Sequence, residues 1–346
     1  MARSVYLAGG MTAMTGEGWW RRVGTPEEGF RYLKVDGAPL VSDAAMRRIA
    51  ALAIPPAWMD VHIAPDGERK VQAWGYDRAG RRQYIYSAEH VARRDSRKWS
   101  RVLRYGRAVP RLREATNRHL RDGGLGRAKV LATMVRLMGR AYFRVGSERY
   151  AVRNRTFGLC TLRKRHLEVR GNALVFTYAG KRRIDQRRVV ADTPLVEILR
   201  DLLALPGGRL FRYRDDGGQV RNVTAEMVNR YLRDVLGERY TSKDLRTFGG
   251  TVRAATILAD LGPARSEREA VRNVALCCRL VAMELGNTPA ICRKAYIHPA
   301  VIEGYLCDGR TIDPLMRKTP RTVTAEEPVP YYPEEAALIR FLERQG

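Results

Sequence analysis

The chain has 346 residues, enough for about two domains that each bury a core, and 45% of them are hydrophobic. No run reaches the roughly 18 uncharged apolar residues that a membrane span needs, so no spanning helix is expected. Lys and Arg number 63 against 37 Asp and Glu, a formal net charge of +26, which excludes indifference to polyanions and predicts binding to a dense array of phosphates. The first 90 residues hold 12 basic and 10 acidic side chains, so almost all of the excess belongs to the C-terminal part.

In chain order, the mildly apolar stretch 5–14 is interrupted by Gly9, Gly10 and Thr12 and reads as a loose terminus. Residues 32–35 followed by Asp36-Gly37 predict a strand and a hairpin turn, and the apolar spacing over 43–54 predicts a helix. A three-strand meander follows over 61–64, 70–76 and 81–87. On its last strand Arg82, Tyr84 and Tyr86 share one face and Gln83 and Ile85 the other. Basic and aromatic groups interleaved in this way suit a nucleic-acid groove, although the core of a small sheet uses the same aromatics. Between 90 and 110 the strand pattern stops and Arg93, Arg94, Arg97, Lys98, Arg101, Arg104 and Arg107 accumulate. This is either a basic linker over 91–110 that crosses a phosphate surface or the solvated face of a helix.

An apolar stripe from Val130 to Tyr142 predicts a helix that stops at Gly146, with Arg144 in its last turn. A small sheet insert is expected over 156–162, 167–169, 174–178 and 182–190, which leaves Lys181 at a hairpin tip. Helices resume at Thr193-Pro194, a cap and first-position pair, and at Thr224, with Glu226 in the first turn. Another helical stretch covers 251–259. A long one runs over 265–285, Gly286 and Asn287 end it, and Thr288-Pro289 open the helix that carries Tyr296. After Lys318 a tail with Pro328, Pro330 and Pro333 precedes a short apolar helix.

The chain has no GxxxxGK[ST] loop, no HExxH and no CxxC, and no two of its five histidines stand at ligand spacing. Nothing therefore suggests a metal or another cofactor. The cysteines, Cys160, Cys277, Cys278, Cys292 and Cys307, have neither metal spacing nor disulfide density and fit a reducing cytosol.

Three strings change the reading. Phe143-Arg144-Val145-Gly146 leads to Thr156-Phe157-Gly158-Leu159; Lys243-Asp244-Leu245-Arg246-Thr247-Phe248-Gly249-Gly250 follows; Asn287-Thr288-Pro289 precedes Arg293-Lys294-Ala295-Tyr296-Ile297-His298-Pro299. In this order they resemble the catalytic domain of the poxvirus-type, bacterial branch of the type IB DNA topoisomerases. The run Gly80-Arg81-Arg82-Gln83-Tyr84-Ile85-Tyr86 is similar to that family's small DNA-clamping domain. The resemblance implies an α+β fold: a β-sheet-rich domain to about residue 90, then a mainly helical catalytic domain over 91–346 with a small β insert, together a bilobed clamp on duplex DNA. It also implies a monomer, working without cofactor, ATP or metal, in the cytoplasm at the nucleoid.

The same resemblance implies roles for single residues. Tyr296 would attack the scissile phosphodiester and leave a 3'-phosphotyrosyl bond, which stores the bond energy without ATP. Arg144 and Arg246 would hold the non-bridging oxygens, with a helix starting just after Arg246 adding its N-terminus. Lys181 would protonate the leaving 5'-oxygen. Asn287 stands where nuclear and poxvirus enzymes of this class place histidine; its amide can donate to a phosphate oxygen but cannot exchange protons. Gln83, Tyr84, Tyr86, Arg82 and Lys243 would touch DNA. Each also has an ordinary structural reading: Arg144 as a helix-end charge, Lys181 as a turn lysine, Asn287 as a cap. A tyrosine recombinase shares the Arg, Lys, Arg and Tyr constellation, but recombinases typically place histidine where Lys243 stands. A non-catalytic basic DNA-binding protein would explain the charge and leave the strings unexplained.

Overall fold

The computed structural model describes residues 17–237, 239–316 and 332–344, and the chain divides into two units, Met1–Lys98 and Trp99–Gly346. The loose terminus expected over 5–14, and the tail from Lys318 to Pro330, lie outside the described residues.

In the first unit, β1 (Trp20–Thr25), β2 (Gly29–Leu33), β3 (Met59–Ile63), β4 (Val71–Tyr76) and β5 (Arg82–Tyr86) form one antiparallel sheet in the order β2-β1-β3-β4-β5. The last three are the expected meander. The first was not anticipated, because adjacent Arg21 and Arg22 and then Gly24 break the alternation; pairing with both β2 and β3 holds the strand instead. Helix α1 (Asp43–Ala51) starts at Ser42, whose hydroxyl accepts from the Ala45 N–H. It ends earlier than its apolar spacing suggested, because Ala53 turns to φ 46° ahead of Pro55. Alternation then separates two small cores, with Ile49, Val61, Ile63 and Ala73 in one and Trp19, Ala64 and Trp74 in the other.

Helix α2 (Ala88–Leu120) shows that the basic stretch 91–110 is helical. Val102, Tyr105, Val109 and Leu112 recur at spacings of three and four and are buried, while Arg93, Arg94, Arg97, Arg104 and Arg107 stay outside. A charge-rich stretch is helical when such a stripe can be covered.

In the second unit α3 (Arg127–Ala141) is buried along most of its length. Tyr142 follows at φ 52°, its N–H returning to the Met138 carbonyl, so the helix stops before Arg144 and not after it as expected. Helix α4 (Glu148–Asn154) is short. The stretch 156–162 is irregular, with one 3₁₀ turn at Leu159–Thr161, and is not the expected strand. Strands β6 (Leu167–Arg170), β7 (Ala173–Ala179) and β8 (Asp185–Ala191) make the antiparallel insert, with β7 in the middle. Helix α5 (Thr193–Ala204) is capped by Asp192, one residue earlier than expected. A ribbon of β9 (Arg212–Arg214) and β10 (Val220–Asn222) precedes α6 (Ala225–Leu236), capped by Thr224.

The remaining helices are α7 (Ser242–Leu261), α8 (Glu267–Leu285), α9 (Pro289–Ala295), α10 (Pro299–Asp308), α11 (Asp313–Met316) and α12 (Pro333–Glu343). One apolar core joins α3, α7 and α8 through side chains such as Met134, Leu137, Ala254, Val281 and Leu285, and Cys277 and Cys278 serve in it as small apolar groups. Among the described residues no single helix is long and apolar enough to cross a membrane. The fold is α+β, with a small sheet first and a mainly helical unit after it.

Candidate active site

Beyond Tyr142 the chain leaves the helix, and Phe143 is buried while Arg144 is half-buried. Phe143 is buried against Phe176 and Tyr178 on β7, with ring centroids 4.9 and 6.0 Å apart. That packing turns Arg144 outward. The segment is fixed by backbone bonds from Leu159 N to Arg144 O and from Cys160 N to Val145 O, both 2.8 Å. Two glycines permit this approach: a Cβ on Gly158 would lie 2.5 Å from Gly146 Cα and 2.7 Å from the Arg144 carbonyl.

Arg144 Nη2 donates to Gly286 O at 2.7 Å and to Asn287 Oδ1 at 2.6 Å. Arg246 is only 4% exposed; its Nη1 donates to the Tyr142 carbonyl and its Nη2 to Leu285 O at 2.7 Å. Three of these acceptors end helices, Tyr142 closing α3 and Leu285 and Gly286 closing α8. The negative ends of two helix dipoles therefore hold the two guanidinium groups side by side. Burial lowers the pKa of both, and for Arg246 the charge of Arg144 is the next cause. No carboxylate stands among the principal groups acting on either. Among the described residues no carboxylate pairs with either guanidinium, so the site keeps a strong positive charge.

Tyr296 is the C-cap of α9 and half-buried. Its ring centroid lies 5.6 Å from Arg246 Cζ, so the phenol and that guanidinium are neighbours. Its backbone is anchored from α7, where Thr251 Oγ1 donates to Tyr296 O at 3.1 Å and accepts from His298 N at 3.2 Å. The bend between α8 and α9, 93°, brings Tyr296 back over the arginines. Gly286 makes the bend at φ 60°. Asn287, just after it, places its carbonyl oxygen on Arg144, while its Nδ2 is buried and makes no hydrogen bond. The Cys292 thiol, raised to about 11 by burial, lies beside that amide without completing a bond to it.

The structure thus brings Arg144, Arg246, Asn287 and Tyr296 together. Lys181 is exposed at the tip of the β7–β8 hairpin, as expected, and no contact among the described residues joins it to the other four. The two residues after it, Arg182 and Arg183, have φ of 64° and 59°, a strained pair in a tight loop. The expected helix start after Arg246 is corrected: α7 begins at Ser242, so Arg246 lies in its second turn. Its N-terminus is already occupied by a capping box in which Asp244 accepts from Thr241 N at 2.8 Å and pairs with Arg101 at 2.6 Å. Lys243 is exposed on that first turn.

On β5, an edge strand of the first unit, Arg82 stacks over Trp74 at 3.6 Å, Tyr84 and Tyr86 stack at 6.1 Å, and Gln83 Nε2 donates to Asp77 Oδ2 at 2.9 Å. The β5 side chains themselves are all half-buried.

Sequence reasoning missed Gln186, Arg188 and Thr251. Arg188 acts by charge on Arg144, on Arg246 and on the Tyr178 phenol, and its Nη2 donates to Gln186 Oε1 at 2.7 Å. The signal was available in β8, where positions 186, 188 and 190 face inward by alternation and a glutamine and an arginine stand in the first two.

Residues 87–313 match the family model described as the catalytic core of eukaryotic DNA topoisomerase I, and residues 29–77 match the N-terminal domain of bacterial DNA topoisomerase IB. The chain is 27% identical over 283 residues to DNA topoisomerase 1B of Acanthamoeba polyphaga mimivirus, covering 80% of this chain and 84% of that one. It is 24% identical over 234 residues to DNA topoisomerase 1B of vaccinia virus (strain Copenhagen), covering 66% and 70%. It is 26% identical over 247 residues to DNA topoisomerase 1 of rabbit fibroma virus (strain Kasza), covering 69% and 73%. The first family model spans more than half of the chain and includes every residue of the arginine and tyrosine cluster, so the chain belongs to the type IB DNA topoisomerases.

Proposed function

We propose that this topoisomerase cuts one strand of duplex DNA with Tyr296 and relaxes it as a monomer without ATP or metal. One observation carries the assignment: a half-buried tyrosine lies against two guanidinium groups held by helix-end carbonyls, with no carboxylate paired to them among the described residues. Such a cluster is complementary to a phosphodiester, and all of its members come from one chain.

The phenol oxygen attacks phosphorus as the bond to the 5'-oxygen breaks; the DNA 3' end becomes a phosphotyrosine and the other end a free 5'-hydroxyl. Arg144 and Arg246 bind the non-bridging oxygens, where charge accumulates in the transition state. An ordinary tyrosine has a pKa near 10, and the same cations favour the developing phenolate. Lys181 protonates the leaving oxygen. Asn287 has two tasks, steering Arg144 through its carbonyl and offering the unpaired Nδ2 donor to the phosphate. Reversal of the steps reseals the strand after rotation. Gln83, Tyr84, Tyr86, Arg82 and Lys243 are proposed as DNA contacts.

Supercoiled plasmid incubated with the enzyme in EDTA without ATP is expected to relax, and detergent quenching is expected to trap protein on a 3' end. Tyr296→Phe should do neither. Relaxation by that variant would refute the nucleophile, and recombined plasmid would favour the recombinase reading.

A further inference from the structure

At the base of the Lys181 hairpin, Gln186 is 8% exposed, an unusual place for a polar side chain. Its Oε1 accepts from Arg188 Nη2 at 2.7 Å, and its Nε2 faces the carbonyls of Asp185 and Ile184 at 3.2 and 3.4 Å. Ile184 O also accepts from Gly180 N at 2.8 Å, the bond that closes the loop carrying Lys181. The Gln186 side chain is wedged between two glycines. A Cβ on Gly180 would lie 2.7 Å from Gln186 Cγ, and a Cβ on Gly286 would lie 2.6 Å from Gln186 Oε1. Gly180 immediately precedes Lys181, and the carbonyl of Gly286 holds Arg144.

We propose that Gln186, braced by Arg188, is a positioning residue that sets the Lys181 hairpin relative to the Arg144 and Asn287 side of the phosphate pocket. The inference rests on the reading of Lys181 as the general acid. One amide touches both structures: its stem fills the space at the hairpin's base, and its oxygen lies against the turn that orients Arg144. Arg188 fixes that oxygen from the same strand face. The hairpin tip is exposed and its other contact among the described residues is the long bond from Arg183 Nε to Asn154 O at 3.4 Å, away from the cluster, so its placement relative to the cluster depends on its base.

The test uses the leaving group. A thiol is far more acidic than an alcohol, so a 5'-bridging sulfur departs without a proton and makes a general acid unnecessary. Single-turnover cleavage is measured on a duplex whose leaving strand dissociates, made with 5'-oxygen or with 5'-bridging sulfur at the scissile position. Lys181→Ala should be slow with oxygen and restored with sulfur. Gln186→Met, which keeps the volume and loses the amide, should lose about 10–100-fold with oxygen and recover to within about threefold of the parent with sulfur. Gln186→Asn, too short to span the two glycines, should behave in the same way and replaces the Met variant if that one fails to bind DNA. Equal slowing with both leaving groups, or no slowing with oxygen, overturns the coupling. If sulfur does not restore Lys181→Ala, the general-acid reading itself falls, and the proposal with it.

Discussion

Asn287 shows how much one polar side chain can decide when its neighbours are buried cations. Its oxygen lies 2.6 Å from Arg144 Nη2 and its Nδ2 is an unpaired buried donor, an arrangement with a cost until an acceptor arrives. A phosphate oxygen would relieve it. Asn287→Asp keeps the shape and the bond to Arg144 but brings a carboxylate beside two guanidinium groups that have none paired to them among the described residues, and replaces the donor with an acceptor. Strand cleavage is expected to slow by about 10²–10³-fold, the range seen when an oxyanion donor is removed. Pre-steady-state cleavage of a short duplex measures it, and a rate within a few-fold of the parent would show that Nδ2 does not meet the phosphate.

Between elements, the junctions are decisive. Thr251, in the middle of α7, reaches across to the backbone of Tyr296 and His298. Thr251→Val preserves the packing and deletes the hydroxyl; unfolding stability should fall by about 1–2 kcal/mol, since each such bond contributes about 1 kcal/mol. Cleavage should slow by about tenfold if a loosened α9 terminus misplaces the nucleophile by a comparable free energy. Urea denaturation and cleavage rates read the two effects separately. The sheet insert carries a pH signature. His166, at the start of β6, packs 4.6 Å from Phe157, and its Nδ1 accepts from Arg163 N at 3.0 Å. Burial, with Arg165 and Arg163, pushes its pKa down to about 4. An unfolded histidine binds its proton near pH 6.5. The contribution of His166 to native stability is therefore fully present above about pH 6.5, is lost as pH falls from there towards 4, and changes no further below that. His166→Asn, which retains an acceptor, should show a shallower decline of the urea midpoint across that window. Parallel declines would exclude His166 as the cause.

For the whole molecule the charge is the controlling quantity. With a net +26 concentrated after residue 90, DNA binding should weaken steeply with salt, by about 10³–10⁵ between 50 and 200 mM if some 6–10 phosphates are neutralised. A filter-binding or anisotropy titration gives the slope, and a shallow one, losing less than about tenfold over that range, would mean that most of the excess faces away from phosphate. How far the fold and site were legible in the sequence follows from the range of the forces involved. Local signals, alternation over 70–76 and 81–87, the stripe from Val130, the Gly286 stop and the Thr288-Pro289 start, gave elements close to those observed. The strings around Arg144, Arg246 and Tyr296 singled out side chains that the fold brings together. The same local logic placed Arg144 inside its helix and missed β1, because φ at Tyr142 and the pairing of Arg21 are settled by distant partners. Sequence by itself determined which residues have the chemistry and where the strongly periodic segments are helix or strand, since both depend on a few neighbouring side chains. Only the tertiary structure decided that Arg144 would be held 142 residues away by Gly286, that Arg246 would reach back 104 residues to Tyr142, and that Gln186 and Arg188 would border the same pocket. The physical reason is that helix ends and glycine contacts meet only once the core has formed, and no periodicity along the chain encodes where they meet.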